Sequence, residues 1–192
     1  MKYLDRFHPN GYYHIFNHAV GNENLFRSPE NFDYFLMGFE KYLSPVCKTV
    51  CYCLMPNHFH FLVQIRDEES ILKLANKDSN ITFDYHKFVM QQLSNFLNSY
   101  AKSYNKRFLR RGALFLDYTK RIIIEDHHSL MQVTKYIHLN PVRHGFCTSL
   151  NDWRYSSYTK ILEAATDKEL ESDLVFEYFN GVDHFIDFHK NL

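Results

Sequence analysis

Residues 46–65 read VCKTVCYCL-MPN-HFHFLVQI, two runs rich in β-branched and aromatic residues joined by Met55-Pro56-Asn57. Proline and asparagine between two such runs signal a tight connection, so the stretch predicts an antiparallel hairpin with strands over Val46–Leu54 and His58–Ile65. Side chains alternate faces along a strand, which sends Phe59, Phe61 and Val63 to one side and His58 and His60 to the other. The apolar set suits a core. The two imidazoles then stand side by side on the opposite face, within reach of one ion, and imidazole is the commonest metal ligand. Alone, a His-x-His pair arises easily in a chain with 12 histidines, and two hydrogen-bonded surface rings are its plainer explanation. A third ligand is needed to decide.

The flanking sequence supplies the rest of the sheet and its helices. Tyr12–His18 (YYHIFNH), bounded by Gly11 and Gly21, reads as a short strand. Ser28-Pro29-Glu30-Asn31 opens a helix in which Phe32, Phe35, Leu36, Phe39 and Leu43 recur at helical spacing until Pro45 stops it. After the hairpin comes a polar loop, then a long amphipathic helix from about His86 to Asn105 carrying Val89, Leu93, Phe96, Leu97, Tyr100 and Ala101. Tyr118–Glu125 is a further strand, and Asp126 caps a helix running to Asn140 before Pro141. The order β-α-β-β-α-β, followed by one more helix, predicts an α+β fold: a ferredoxin-like core with an antiparallel sheet. Short helices are expected from Trp153 onward. The chain divides into a main domain over 1–158 and an acidic, helical C-terminal extension over 159–192.

Composition narrows the possibilities. The 192 residues are 45% hydrophobic and 17% aromatic, enough for one well-filled core and unlike a disordered chain. The 22 basic and 22 acidic residues cancel, so overall charge favours no polyanionic partner and only local patches can. Such a patch exists: Lys102, Lys106, Arg107, Arg110, Arg111, Lys120 and Arg121 lie close in sequence with Asp117 as their one acid, whereas acids dominate from Glu163 onward. Tyr100, Tyr104 and Phe108 interleave the basic run, which offers phosphate contacts and stacking surfaces for unpaired bases; a solvated helix face is the plainer alternative. Cys47, Cys51, Cys53 and Cys147 form no C-x-x-C pair, the N-terminal MKYLDRFHPN is no secretion signal, and no apolar run is long enough to span a bilayer. A cytoplasmic protein with no membrane partner is expected.

The helix before Pro141 offers the missing ligand. Tyr136 and Asn140 sit four apart and share a face beside the apolar stripe Leu130, Val133 and Ile137, which can dock on the sheet. An amide oxygen from Asn140 would complete a His58, His60, Asn140 site, and such mixed nitrogen and oxygen ligation accepts Mg²⁺ or Mn²⁺. Ordinary packing of Tyr136 and a helix stop at Asn140 account for the same residues.

The strings YYHIFNHAV, CLMPNHFHFLV, YIHLNPVRHGF and DWRYSSY, in that order and spacing, resemble the single-tyrosine HUH transposases of the insertion-sequence-200 type, most closely their REP-associated relatives. The similarity spans roughly Gly11 to Tyr158, and the tail around Phe179-Asn180-Gly181 also looks like the extension of some REP-associated members. The resemblance implies that His58 and His60, with Asn140, hold a divalent metal, and that Tyr136 is the nucleophile. It further implies cleavage of single-stranded DNA near hairpins through a covalent 5′-phosphotyrosine, with rejoining that needs no nucleotide cofactor. DNA is then the expected partner, through Lys102, Lys106, Arg107, Arg110, Arg111, Lys120 and Arg121, and the protein would be nucleoid-associated when bound. A homodimer and a monomer both stay open. The chain departs from its relatives at Asn17-His18-Ala19, where they usually read Asn-Arg-Gly. Two other functions fit the same residues: a domesticated hairpin-binding or regulatory module that no longer transposes, and a metallohydrolase that uses water in place of Tyr136.

Overall fold

The hairpin forms around a two-residue turn. In the computed structural model, which describes residues 3–78, 82–164 and 172–190, β2 (Cys47–Met55) and β3 (His58–Ile65) are joined by Pro56 and Asn57, with Met55 opposite His58. β1 (Tyr12–His18) pairs with the other edge of β3, and β4 (Lys120–Ile124) with the far edge of β1. The sheet order is β2-β3-β1-β4, with every neighbouring pair antiparallel. This is the ferredoxin-like α+β arrangement expected from the order of elements.

Strand alternation divides the core into two layers. On one face, Tyr13, Ile15, Phe59, Phe61 and Val63 meet α1 (Pro29–Tyr42) and α3 (Tyr85–Arg107). Phe35 lies 4.6 Å from Phe96 between ring centroids, and Phe39 stacks on Phe61 at 4.2 Å. The two helices approach closely because Gly38 has no side chain: a Cβ there would sit 3.1 Å from the Phe96 ring. On the other face, α4 (His127–Arg143) lays Leu130 and Ile137 on Val50, Cys51, Cys53, Met55 and Leu62. A bulge between Thr49 and Cys51 lets both Val50 and Cys51 reach this layer.

The C-terminal segment completes the second layer and covers an edge. Trp153 Nε1 donates to the Leu54 carbonyl, Leu54 N donates to the Tyr155 carbonyl, and Ser157 N donates to the Tyr52 carbonyl. The DWRYSSY string thus occupies hydrogen-bonding positions of the outer strand β2 that would otherwise stay open. After α5 (Tyr158–Ala164), α6 (Ser172–Phe179) and α7 (Val182–Lys190) place Val175, Phe179 and Phe185 in the α4 layer. The tail therefore packs beside α4. Among the described residues, no helix is long and apolar enough to cross a membrane.

Three expectations are corrected. The loop after β3 contains a helix, α2 (Glu68–Leu74), capped by the Asp67 carboxylate, which accepts from Ser70 N. The strand expected from Tyr118 begins only at Lys120, because Tyr118 has a left-handed φ of 60°. α4 does not stop at Asn140 but continues through Pro141 to Arg143. A proline this near the end removes one donor, and the last carbonyls find others: His144 N donates to the Asn140 carbonyl and Phe146 N to the Pro141 carbonyl.

Candidate functional site

The face of the sheet that receives α4 carries more histidine than His58 and His60. Alternation along β1 places His14, Phe16 and His18 on it as well, and the antiparallel register sets His18 opposite His58 and Phe16 opposite His60. His18 stacks on His58, with centroids 4.5 Å apart and planes 18° apart. His14 stacks on Phe16, and its Nε2 lies 2.9 Å from Nδ1 of His60. The Nδ1 of His58 lies 2.8 Å from Oδ1 of Asn57, the second residue of the turn. Since that amide oxygen only accepts, Nδ1 of His58 holds the proton. With both Nδ1 atoms engaged, Nε2 is the ring nitrogen that each of His58 and His60 can offer to an ion. Their centroids are 5.1 Å apart.

α4 brings the other two groups. Leu130 and Ile137 seat the helix on the sheet, so the next stripe of its surface, Tyr136 and Asn140, falls over the histidines. The Tyr136 ring stands edge-on to His60 at 5.7 Å and to His14 at 6.1 Å, and is 40% exposed. Asn140 is buried; its Nδ2 donates to the Tyr136 carbonyl at 2.9 Å, which leaves Oδ1 to face His58, whose charged form it favours. The Arg143 guanidinium lies 5.5 Å from the Tyr136 centroid, and His144 meets His58 edge-on at 5.3 Å. On its far side the helix is fixed by a buried chain in which His138 hydrogen-bonds through Nδ1 to His189 of α7 and through Nε2 to Ser157, both at 2.9 Å.

Burial sets the protonation of this face. Desolvation brings His14 and His58 down to about 4, and drives His60 well below the usual histidine range, with neighbouring imidazoles adding to it. His18 is lowered as well, by burial first and then by Lys120 and His144. Rings that stay neutral at pH 7 keep their lone pairs free of competing protons, as ligation requires. Two imidazole nitrogens and one amide oxygen form a donor set that would suit a divalent cation. Among the described residues, no group of three His, Cys, Asp or Glu side chains is arranged to hold a metal.

The seven basic residues do not form one patch. Arg110 is spent inside the fold: it grips Glu23 with two hydrogen bonds of 2.6 and 2.7 Å and also donates to the Gly112 and Ala113 carbonyls. Arg121 is buried, donates to the Asp5 and Leu4 carbonyls, and lies over Phe7 on the α3 side of the sheet. Lys120 points the other way, 5.6 Å from the Phe16 centroid, and so flanks the histidines. Lys102, Lys106, Arg107 and Arg111 are exposed around the end of α3. That end is tied by Tyr104 to the Asn24 carbonyl, and the same loop returns through Ala19 N to the Asn57 carbonyl. The exposed cations therefore lie toward the end of the sheet where His18 and His58 sit. His14, Asn57, Arg143 and His144 were not singled out from the sequence, although period-two alternation in YYHIFNH already puts His14 on the face of His18.

No protein-family profile matches the chain. A Haemophilus influenzae protein assigned as a REP-associated tyrosine transposase is 27% identical over 119 residues, 61% of this chain and 62% of that protein, so the match spans less than two thirds of the relative's length. Among solved structures, a REP-associated tyrosine transposase bound to a REP hairpin superimposes with a TM-score of 0.63 at 11% identity, over 85% of this chain and 86% of the other. At that identity the structural likeness speaks for the fold. Both relatives are of the kind to which the sequence motifs pointed.

Proposed function

We propose that this chain cuts and rejoins single-stranded DNA in the manner of a REP-associated tyrosine transposase, with Tyr136 as nucleophile and His58, His60 and Asn140 as the residues that would hold a divalent cation, Mg²⁺ or Mn²⁺. The observation that carries it is convergence: a solvent-reachable tyrosine, two neutral imidazoles and an amide come from β3 and α4 onto one face. When bound, such a cation withdraws charge from the non-bridging phosphate oxygens that would otherwise repel an incoming phenolate.

The protein's own residues supply the rest. The Tyr136 phenol oxygen attacks phosphorus, the bond from phosphorus to the 3′-oxygen breaks, the phenol gives up its proton, and the departing 3′-oxygen takes one up. The products are a 5′-phosphotyrosine and a free 3′-hydroxyl. Attack by a 3′-hydroxyl reverses these changes and frees Tyr136, so rejoining draws on the energy kept in the ester. Arg143 beside Tyr136 and Lys120 beside Phe16 border the face with positive charge that attracts the strand. Lys102, Lys106, Arg107 and Arg111 extend that charge toward flanking DNA, where a hairpin would lie.

The test is to incubate labelled single-stranded hairpin DNA from the flanks of the protein's own gene with the protein and Mg²⁺ or Mn²⁺, beside Tyr136→Phe. A denaturation-resistant protein–DNA adduct that the variant fails to form is the expected result. DNA binding with no adduct under either metal would favour a hairpin-binding module, and cleavage that persists in the variant a water-using hydrolase.

A further inference from the structure

We infer that His14 is a positioning residue for His60: it holds the Nδ1 proton of that ring, and so turns Nε2 toward the place of the cation. The inference rests on the metal-site assignment above.

The geometry is specific. His14 and His60 are both buried, on neighbouring strands, with Nε2 of one 2.9 Å from Nδ1 of the other. Between two neutral imidazoles one proton serves this contact. If His60 ligates through Nε2, its proton must be on Nδ1, and His14 Nε2 is then the acceptor. His14 is itself held: Phe16 stacks on it at 4.7 Å and Tyr136 stands against its edge. Asn57 makes the matching contact to Nδ1 of His58. Each candidate ligand is therefore gripped at the same ring atom by a different element, one by β1 and one by the hairpin turn. An unsupported imidazole could rotate about its side-chain torsions, and a buried apolar replacement at position 14 would leave His60 with no acceptor for that proton.

Two measurements on the full chain test this. Long-range ¹H–¹⁵N correlation in Mg²⁺ reads the His60 tautomer directly, and titration calorimetry reads Mn²⁺ affinity for the unaltered protein, His14→Phe and His14→Gln, each checked for folding by circular dichroism. Expected are an Nδ1-protonated His60, a loss of about 10–100-fold in Mn²⁺ affinity for His14→Phe, and recovery of most of that loss in His14→Gln, whose amide oxygen still accepts. An Nε2-protonated His60 in Mg²⁺, or a folded His14→Phe that binds Mn²⁺ as tightly as the unaltered protein, overturns the role given to His14 and leaves the transposase chemistry standing. An unaltered protein that takes up no Mn²⁺ overturns the metal site and the role of His14 with it.

Discussion

Lowering the pH should destabilise this protein well above the range where carboxylates titrate. His14, His58 and His189 are each held near 4 by burial, against an ordinary value of 6.5. Between those values the unfolded chain binds the protons and the folded chain does not, so stability is complete above about 6.5, falls as pH drops toward 4, and changes no further below it. At pH 5.5 an unfolded histidine is protonated about ten to one while its folded counterpart is almost bare, a difference of about 1.4 kcal/mol per residue. Three residues give about 4 kcal/mol, which is large against the roughly 5–15 kcal/mol that holds a typical domain together. His60 and His138, both driven well below 6.5, add in the same direction. The assay is urea denaturation of metal-free protein at pH 7.5 and 5.5, followed by Trp153 fluorescence. At a slope of about 2 kcal/mol per molar, the midpoint should fall by about 2 M. Midpoints that agree at the two pH values would refute the claim that these rings are buried in their neutral form.

The other predictions separate structure from chemistry. Mn²⁺ at a hundred times its dissociation constant should stabilise the folded protein by about 2.7 kcal/mol at pH 7.5, a gain lost in a His58→Ala, His60→Ala double variant; thermal melts with and without the ion check this. Arg110→Ala should cost about 1 kcal/mol, because it removes the two hydrogen bonds that tie the end of α3 to Glu23, as urea midpoints will show. Lys106→Ala should leave stability within about 0.5 kcal/mol and instead weaken binding to hairpin DNA, lowering the salt slope by about one in a filter-binding titration. Asp126→Ala removes the carboxylate that caps α4 at Ser129 N and Ser129 Oγ, and should cost about 1 kcal/mol by the same denaturation assay.

What the sequence disclosed and what it concealed divide along a physical line. Local periodicity was legible: the turn at Pro56 and Asn57, the alternation that separates Phe59 from His60, and the four-residue spacing of Tyr136 and Asn140 all depend on near neighbours. Helix α2 was missed because seven residues are too few to show a period, even though Asp67 with Ser70 three residues on is a cap signal. The true end of α4 was missed because a proline in the last turn sacrifices only one hydrogen bond. Pairing across the chain was hidden altogether. Arg110 and Lys106 look alike in sequence, yet one is consumed by Glu23, 87 positions away, and the other is exposed. His14 and His60 lie 46 positions apart, and only the register of β1 on β3 brings them into contact.

That register also shows why the candidate site sits on this face of the sheet. The α1 and α3 side is filled largely by interlocking aromatic rings, and the face carries none of the histidines of β1 and β3. On the α4 side, each of the buried polar rings His60, His58 and His138 has a partner outside its own element: His60 has His14, His58 has Asn57 of the turn, and His138 has Ser157 and His189. A buried polar group left unpaired costs about 1–3 kcal/mol, so this side is stable only while those pairings hold together. The pairings join β1 to β3 on one side of α4 and α4 to α7 on the other, and together they set the position of Tyr136, which stands against His14 and His60. A substitution at Ser157 or His189 should therefore disturb the alignment of Tyr136 with His60 as well as the tail, even though both residues lie on the far side of the helix.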